Sequence, residues 1–181
     1  AFAQFGVLYT MVTDSERILR EGQVFRFRTR PFDPHDPFQG RYIQLAFEDD
    51  YIPQTVPGPR HGTTLYVALA TNAQGFAHLD GWSPTPPAAK PYLKTRSLGE
   101  HWNWSRDNSE SKCDGVRVEM PFDRFYMEEA KAPLAEQAVW DAARATNCWA
   151  AVRILEGRAV IEDVYVRGQS VRELKRPGTH K

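Results

Sequence analysis

The sequence predicts a mainly β domain of the α+β class, in which antiparallel strands form a barrel or a sandwich with one interior helix. Three observations support this. Residues 24–30, "VFRFRTR", alternate strictly, several other short alternating runs are separated by turn residues, and one interior run alone has helical features. A chain of 181 residues has the size of one ordinary domain.

The first strand is predicted from its alternation of side chains. One face carries Phe25, Phe27 and Thr29, and the other carries Arg26, Arg28 and Arg30. Because successive side chains of a strand point to opposite faces, this segment is typical of a half-buried strand.

A proline-rich crossover and a second alternating strand follow. In "PFDPHDPFQG", residues 31–40, each proline fixes one backbone angle and removes one hydrogen-bond donor, which is incompatible with a central strand. After Gly40 the alternation resumes and places Arg41, Ile43, Leu45 and Phe47 on one face.

The remaining elements follow from local signals. "TLYVALAT", the turn "NAQG" and "FAHLDGW" predict a hairpin, and "YLKTRSL" and "EHWNWSR" predict two short strands. Pro133 suits the first position of a helix in "PLAEQAVWDAARATN". "CWAAVRIL" and "RAVIEDVYVRG" predict a last hairpin with its turn at Glu156 and Gly157, and a bulge at Glu162 and Asp163.

The composition excludes some classes of protein. Lys and Arg together number 23, as do Asp and Glu, so the basic excess expected of a nucleic-acid-binding protein is absent. Hydrophobic residues at 41% and aromatic residues at 12% indicate a folded domain.

The start, "AFAQFGVLYTMV", is apolar but shorter than the roughly 20 residues that span a bilayer. It fits the end of a membrane anchor or a core helix of a soluble protein.

The two cysteines leave two interpretations open. Cys113 and Cys148 are in no CxxC arrangement, which excludes a zinc ribbon or a thioredoxin-like motif. Each begins a predicted strand. If those strands pair, the cysteines form a disulfide and indicate an oxidising compartment such as the periplasm. The alternative is two free buried thiols.

Two polar clusters are candidate sites. Asp33, His35 and Asp36 bring possible metal ligands together, but aspartate beside proline more often caps turn amides, so we predict no metal. These carboxylates are also suited to ion pairs with Arg41 and Arg124.

The second cluster is "DRFYMEEA". Here Arg124 is suited to bind a carboxylate or phosphate, beside Tyr126 and Glu129. Carboxylates at this point can perform acid–base chemistry, but acidic residues before a helix are also favoured by its dipole. The chain has no GxSxG or SxxK motif, and we predict no catalytic residue and no cofactor.

At "GRYIQLAF" the sequence resembles the GDYXXLXY proteins, a bacterial family named for its motif. Gly40, Tyr42 and Leu45 match, Phe47 replaces the last tyrosine, and Arg41 replaces the aspartate, so a role that requires that carboxylate does not carry over to this chain. The lead-in is similar to the family's "PVDPRDxxRG", with Gln39 departing from it. "EGQVFRFRT", "MPFDRFYMEEA" and "EGRAVIEDVYVRG" fall in the expected order, so the resemblance covers most of the chain.

The resemblance implies a location more than an activity. Proteins of this family typically carry one N-terminal transmembrane helix and place the rest outside the cytoplasmic membrane. We therefore expect residues 1–20 to be the end of an inner-membrane anchor and its juxtamembrane helix. Residues 21–175 would be a single periplasmic domain and residues 176–181 a tail.

We carry two functional hypotheses. The first is a non-enzymatic interaction module that acts with a membrane protein partner. Its surface would comprise Asp33, Asp36, Gly40, Arg41, Tyr42, Arg124, Tyr126 and Glu129. The alternative is a periplasmic hydrolase with an acidic site formed by Asp33, Asp36, Arg124 and Glu129. An enzyme predicts a pocket where these side chains converge, whereas a binding module predicts a shallow patch.

Overall fold

The structure, a computed structural model, describes residues 13–30, 42–54, 58–104, 111–128, 132–144 and 147–174. Within these ranges the chain forms twelve strands, two α-helices and one 3-10 helix. Residues 13–21 are helical (α1). The other elements, in chain order, are β1 Gln23–Arg30, β2 Tyr42–Gln44, β3 Ala46–Phe47, β4 Tyr51–Pro53, β5 Thr64–Thr71, β6 Ala77–Ser83, β7 Tyr92–Trp104, β8 Ser111–Val118, β9 Arg124–Tyr126, α2 Ala132–Arg144, β10 Cys148–Leu155, β11 Arg158–Val166, β12 Gln169–Ser170 and the 3-10 helix Val171–Glu173.

The strands form two five-stranded sheets and a two-stranded ribbon. The first sheet has the order β12-β11-β10-β1-β3, the second has the order β4-β8-β7-β5-β6, and β2 pairs with β9. Every ladder between these strands is antiparallel. Each five-stranded sheet ends in two edge strands within the described chain, and one hydrophobic cluster takes side chains from both. Of the two predicted architectures, the structure is therefore sandwich-like and not a closed barrel.

The alternation of β1 is confirmed. Phe25, Phe27 and Thr29 are buried, whereas Arg26 and Arg30 are exposed. In the core, the ring of Phe27 lies 6.0 Å from that of Phe47 and 5.1 Å from that of Phe122.

The segment after residue 41 keeps its predicted face but not its predicted continuity. Ile43, Leu45 and Phe47 are all buried. The segment is nevertheless divided at Leu45, whose N–H donates to the carbonyl of Asp123 (2.8 Å). On one side of this point β2 pairs with β9, and on the other side β3 pairs with β1. The segment thus joins the ribbon to the first sheet.

The interior helix and the last hairpin agree with the sequence. Ala135, Val139 and Ala142 of α2 are buried, which gives the helix the small-residue face needed for close packing. Between β10 and β11 the register shifts so that Glu162 is the extra residue, which confirms the bulge. The hairpin turns at Glu156 and Gly157, both with positive φ.

One pair of predicted strands is wrong. The run "YLKTRSL" and the described part of "EHWNWSR", up to Trp104, form a single strand, β7. The chain passes Gly99, whose φ is 99°, and the register against β8 shifts between Ser97 and Gly99. The glycine at the predicted boundary between two strands thus lies at a bulge inside one long strand.

Of the two interpretations of the cysteines, the structure supports free thiols. A disulfide required the strands of Cys113 and Cys148 to pair, but β8 belongs to the second sheet and β10 to the first. Both cysteines are free thiols, and Cys148 is buried. Burial raises the pKa of the Cys148 thiol, and the nearby Thr29 hydroxyl opposes this effect.

The predicted anchor and juxtamembrane helix, residues 1–20, lie only partly within the described residues. Residues 1–12 lie outside them, and so do residues 175–181, which include the predicted tail. Within the described ranges, no helix has the length and apolar character needed to cross a bilayer.

Candidate functional site

The ribbon of β2 and β9 brings together three of the residues that the sequence nominated. Tyr42 lies opposite Tyr126, and Gln44 lies opposite Arg124. The two tyrosine rings are 5.6 Å apart between centroids, at an angle of 57°. The guanidinium carbon of Arg124 lies 5.1 Å from the centre of the Tyr42 ring. We call Tyr42, Arg124 and Tyr126 the ribbon cluster.

Alternation explains why this cluster faces solvent. The central pair of the ribbon, Ile43 and Phe125, is buried, each side chain being 2% exposed. The residues on either side of that pair must therefore point outward. The guanidinium of Arg172 lies 4.9 Å from the centre of the Phe125 ring. The ribbon is thus anchored by its inner side chains, and its outer ones can bind a ligand.

Within the part of the chain that the structure describes, Arg124 is held in place without a short ion pair. Its hydrogen bond to Tyr126 raises its pKa, with further contributions from Tyr42 and Asp123. The nearest carboxylate oxygen described, from Asp123, is 3.8 Å from its Nε, and the side chain is 51% exposed. A guanidinium has five N–H donors, so donors remain for a ligand. A carboxylate or a phosphate matches their planar arrangement.

Tyr126 is the most prominent member of the cluster. Its side chain is 62% exposed, compared with 45% for Trp102 on β7. Large aromatic side chains with a polar end are enriched at protein interfaces. The cluster therefore has the composition of a recognition surface.

Five nominated residues, Asp33, Asp36, Gly40, Arg41 and Glu129, lie outside the described residues and stay predictions. Of the four members of the hydrolase alternative, Arg124 alone is described. In the ranges that the structure describes, no group of three or more His, Cys, Asp or Glu side chains is arranged to hold a metal ion.

A second polar cluster was missed by the sequence analysis. The Asp50 carboxylate accepts hydrogen bonds from Arg30 (2.9 Å) and Arg117 (2.8 Å), and its side chain is 16% exposed. Among the described residues, the buried Nε of Arg117 has no hydrogen-bond partner. Burial raises the pKa of neighbouring Asp49, an effect that the charges of His78 and Arg28 oppose. Alternation placed Arg30 on the outer face, but nothing in the sequence indicates its partner.

A histidine–aspartate pair was missed as well. His101 Nδ1 lies 2.6 Å from Asp114 Oδ1, and the His101 ring stacks on Tyr51 at 4.5 Å. Such a pair orients a catalytic base when a nucleophile lies within reach. Within the described ranges, the hydrogen bond of the His101 side chain is with Asp114 and its ring contact is with Tyr51, and neither partner is a nucleophile of the serine, threonine or cysteine type. The pair therefore provides no support for the hydrolase alternative.

Comparison with known proteins gives a family. The family model of the GDYXXLXY protein matches residues 4–164, which include the motif segment, the ribbon, the second sheet and the first sheet up to the last residues of β11. No curated protein and no solved structure matches the chain significantly. Because the match covers most of the chain and the resemblance at Gly40, Tyr42 and Leu45 lies within it, this chain belongs to the GDYXXLXY family.

Proposed function

We propose that this chain is a non-enzymatic interaction domain, tethered to the inner membrane through its N-terminal segment and facing the periplasm. The ribbon cluster is its contact with a membrane protein partner. The observation that carries the proposal is the ribbon cluster, in which exposed Arg124 and Tyr126 pack against half-buried Tyr42 on a ribbon whose inner residues are buried.

The energetics of interfaces support this role for the cluster. Tyrosine and arginine are among the residue types that most often dominate binding free energy. A tyrosine ring provides contact area at a low cost in side-chain entropy. Here the ring of Tyr42 and the hydroxyl of Tyr126 already restrain the guanidinium of Arg124. A partner that covers Tyr126 and supplies a carboxylate to Arg124 therefore orders few additional groups.

The proposed location rests on the N-terminal apolar segment and on membership of the family. The family match begins at residue 4, inside that apolar segment. A reporter enzyme that is active only after export, fused behind residue 181, tests the orientation. We expect activity in cells that make the fusion, and no activity would contradict a periplasmic domain.

Site-specific photocrosslinking tests the contact. A photoreactive amino acid replaces Tyr126 in the membrane-expressed protein, and after illumination the adducts are purified and identified. A matched control replaces Trp102, which is exposed but lies on β7 in the second sheet. We expect an adduct with one membrane protein at position 126 that is absent at position 102.

A second substitution separates true docking from proximity. Arg124→Ala, added to the position-126 variant, should greatly reduce the adduct while the domain stays folded. Arg158→Ala is the matched control, because its side chain is 56% exposed and pairs with Asp14 at a distance of 2.7 Å. Equal adducts at positions 126 and 102, or an adduct unaffected by Arg124→Ala, would refute the assignment.

A further inference from the structure

The outer face of the first sheet carries a row of arginine and aromatic side chains. Arg28 of β1 lies opposite Trp149 of β10, and Trp149 lies opposite Tyr165 of β11. Arg26 stands two residues before Arg28 on the same face. The row thus crosses three neighbouring strands, and Arg26 lies beside it.

These side chains stack on one another. The rings of Trp149 and Tyr165 are nearly parallel, at 7°, with centroids 4.1 Å apart. The guanidinium carbon of Arg26 lies 5.1 Å from the centre of the Trp149 ring, and that of Arg28 lies 4.1 Å from the centre of the Phe76 ring. Both distances are typical of cation–π contacts.

The hairpin between β5 and β6 reaches this face from the second sheet. Its Gln74 accepts a hydrogen bond from Arg28 (2.7 Å). The Phe76 ring meets the Trp149 ring edge-on at 6.5 Å. The hairpin therefore contacts the arginine and aromatic row along one side, beside Arg28.

A comparison along β1 shows what distinguishes Arg26 and Arg28. Arg30, on the same face, forms an ion pair with Asp50 at 2.9 Å. Within the described residues, neither Arg26 nor Arg28 has a carboxylate at ion-pair distance. The positive charge of Arg28 does act on the pKa of Asp49, but this half-buried carboxylate lies farther from Arg28 than an ion-pair distance. Arg26 is thus positioned by stacking, and Arg28 by stacking and its hydrogen bond to Gln74, without an ion-pair partner among the described residues.

Stacking leaves the in-plane N–H groups of a guanidinium available to an anion. Residues two apart on a strand are separated by about 6.6 to 6.8 Å, and the carboxylates of Asp or Glu two apart on an extended peptide have the same spacing. We infer that Arg26 and Arg28, with Trp149 and Phe76, form a second binding site that takes an extended acidic peptide segment with carboxylates at alternate positions. This site goes beyond the ribbon cluster and does not depend on it.

The test uses the full 181-residue chain and two fluorescent peptides with the same number of glutamates. One alternates Glu and Thr, and the other has Glu at every third position, so that its carboxylates do not share one face of an extended chain. Fluorescence anisotropy gives the dissociation constants. We expect the alternating peptide to bind more tightly. The double variant Arg26→Gln, Arg28→Gln should weaken its binding about tenfold or more.

The matched control is Arg158→Gln, an exposed arginine that has a carboxylate partner, and it should leave the affinity unchanged. Circular dichroism establishes that each variant is folded. The single variant Trp149→Phe should weaken binding less than the double variant does, because it leaves both charges in place. Equal binding of the two peptides would overturn the inference, and so would equal losses in the double variant and the control. Tighter binding of inorganic polyphosphate or anionic vesicles than of the alternating peptide would also overturn it.

Discussion

The two ends of the segment from Tyr42 to Asp50 follow the same alternation, but one end packs into the interior and the other lies on the outer side of the ribbon. At one end, the side chain of Phe47 is enclosed by Phe27 and Phe122, and Asp50 is held by two arginines. At the other end, Tyr42 stands on the outer side of the ribbon beside Tyr126. One family motif therefore supplies both core packing and part of the outer side of the ribbon. We expect the interior end to determine stability and the ribbon end to determine binding.

The largest effect should follow Phe47→Ala. The side chain is 2% exposed and contacts two other rings, so its removal leaves a cavity and should lower the free energy of unfolding by about 3–5 kcal/mol. Urea denaturation of the purified chain measures this loss. Phe47→Leu, which fills part of the cavity, should lose less, and an Ala variant that loses under about 1 kcal/mol would contradict the interior role.

Asp50→Ala should have an intermediate effect. It removes the acceptor shared by Arg30 and Arg117 and leaves a partly buried guanidinium unpaired, which should cost about 1–3 kcal/mol of stability. The control is Asp80→Ala, because Asp80 is more exposed and pairs with one lysine. If both variants lost the same free energy of unfolding, the ion pairs of Asp50 would contribute no more than an ordinary surface ion pair.

The substitution Asp49→Asn tests whether the interior end makes the stability of the domain depend on pH. Because burial raises the pKa of Asp49 in the folded state, its protonated form favours folding. The stabilising contribution is present at pH below the ordinary carboxyl pKa and is lost as the pH rises through the raised value. We therefore expect Asp49→Asn to be more stable than wild type at neutral pH, with the difference vanishing on acidification. Thermal unfolding across this range measures it, and a variant less stable at neutral pH would contradict the sign.

The smallest change in stability should follow Tyr126→Ala at the ribbon end. This side chain is 62% exposed, so the free energy of unfolding should change within about 0.5 kcal/mol. The same urea measurement applies, with Phe125→Ala as the buried neighbour that should lose about 3–5 kcal/mol. A large loss for Tyr126→Ala would make the ribbon cluster a structural feature.

Much of the fold could be predicted because its signals are local. Alternation placed Phe27 and Phe47 in the core, and the break in phase at Glu162 located the bulge. The division of the motif strand at Leu45 could not be predicted, because it depends on which strands pair. From the sequence, Gly99 is interpreted as the end of one strand and the start of another. Its positive φ inside a continuous strand could not be predicted, because the neighbouring residues do not specify the φ of a glycine.

The candidate site was predictable in part. Tyr42, Arg124 and Tyr126 were nominated separately, but their convergence depends on the register of β2 against β9. The contact of Arg26 with Trp149 and the ion pair of Asp50 with Arg117 join residues far apart in sequence. Such pairings are determined by the cross-strand register, which composition and periodicity do not specify.

The central claim, that a partner covers the ribbon end while the interior end is already buried, is tested most directly by hydroxyl-radical footprinting. Oxidation of Tyr126 is compared between the protein in membranes of the cells that make it, where the proposal places it, and the same protein purified in detergent, with exposed Trp102 as the internal reference. We predict that Tyr126 is several-fold less reactive in the membrane than in the purified state, with Trp102 unchanged. Equal reactivity of Tyr126 in the two states would contradict the account.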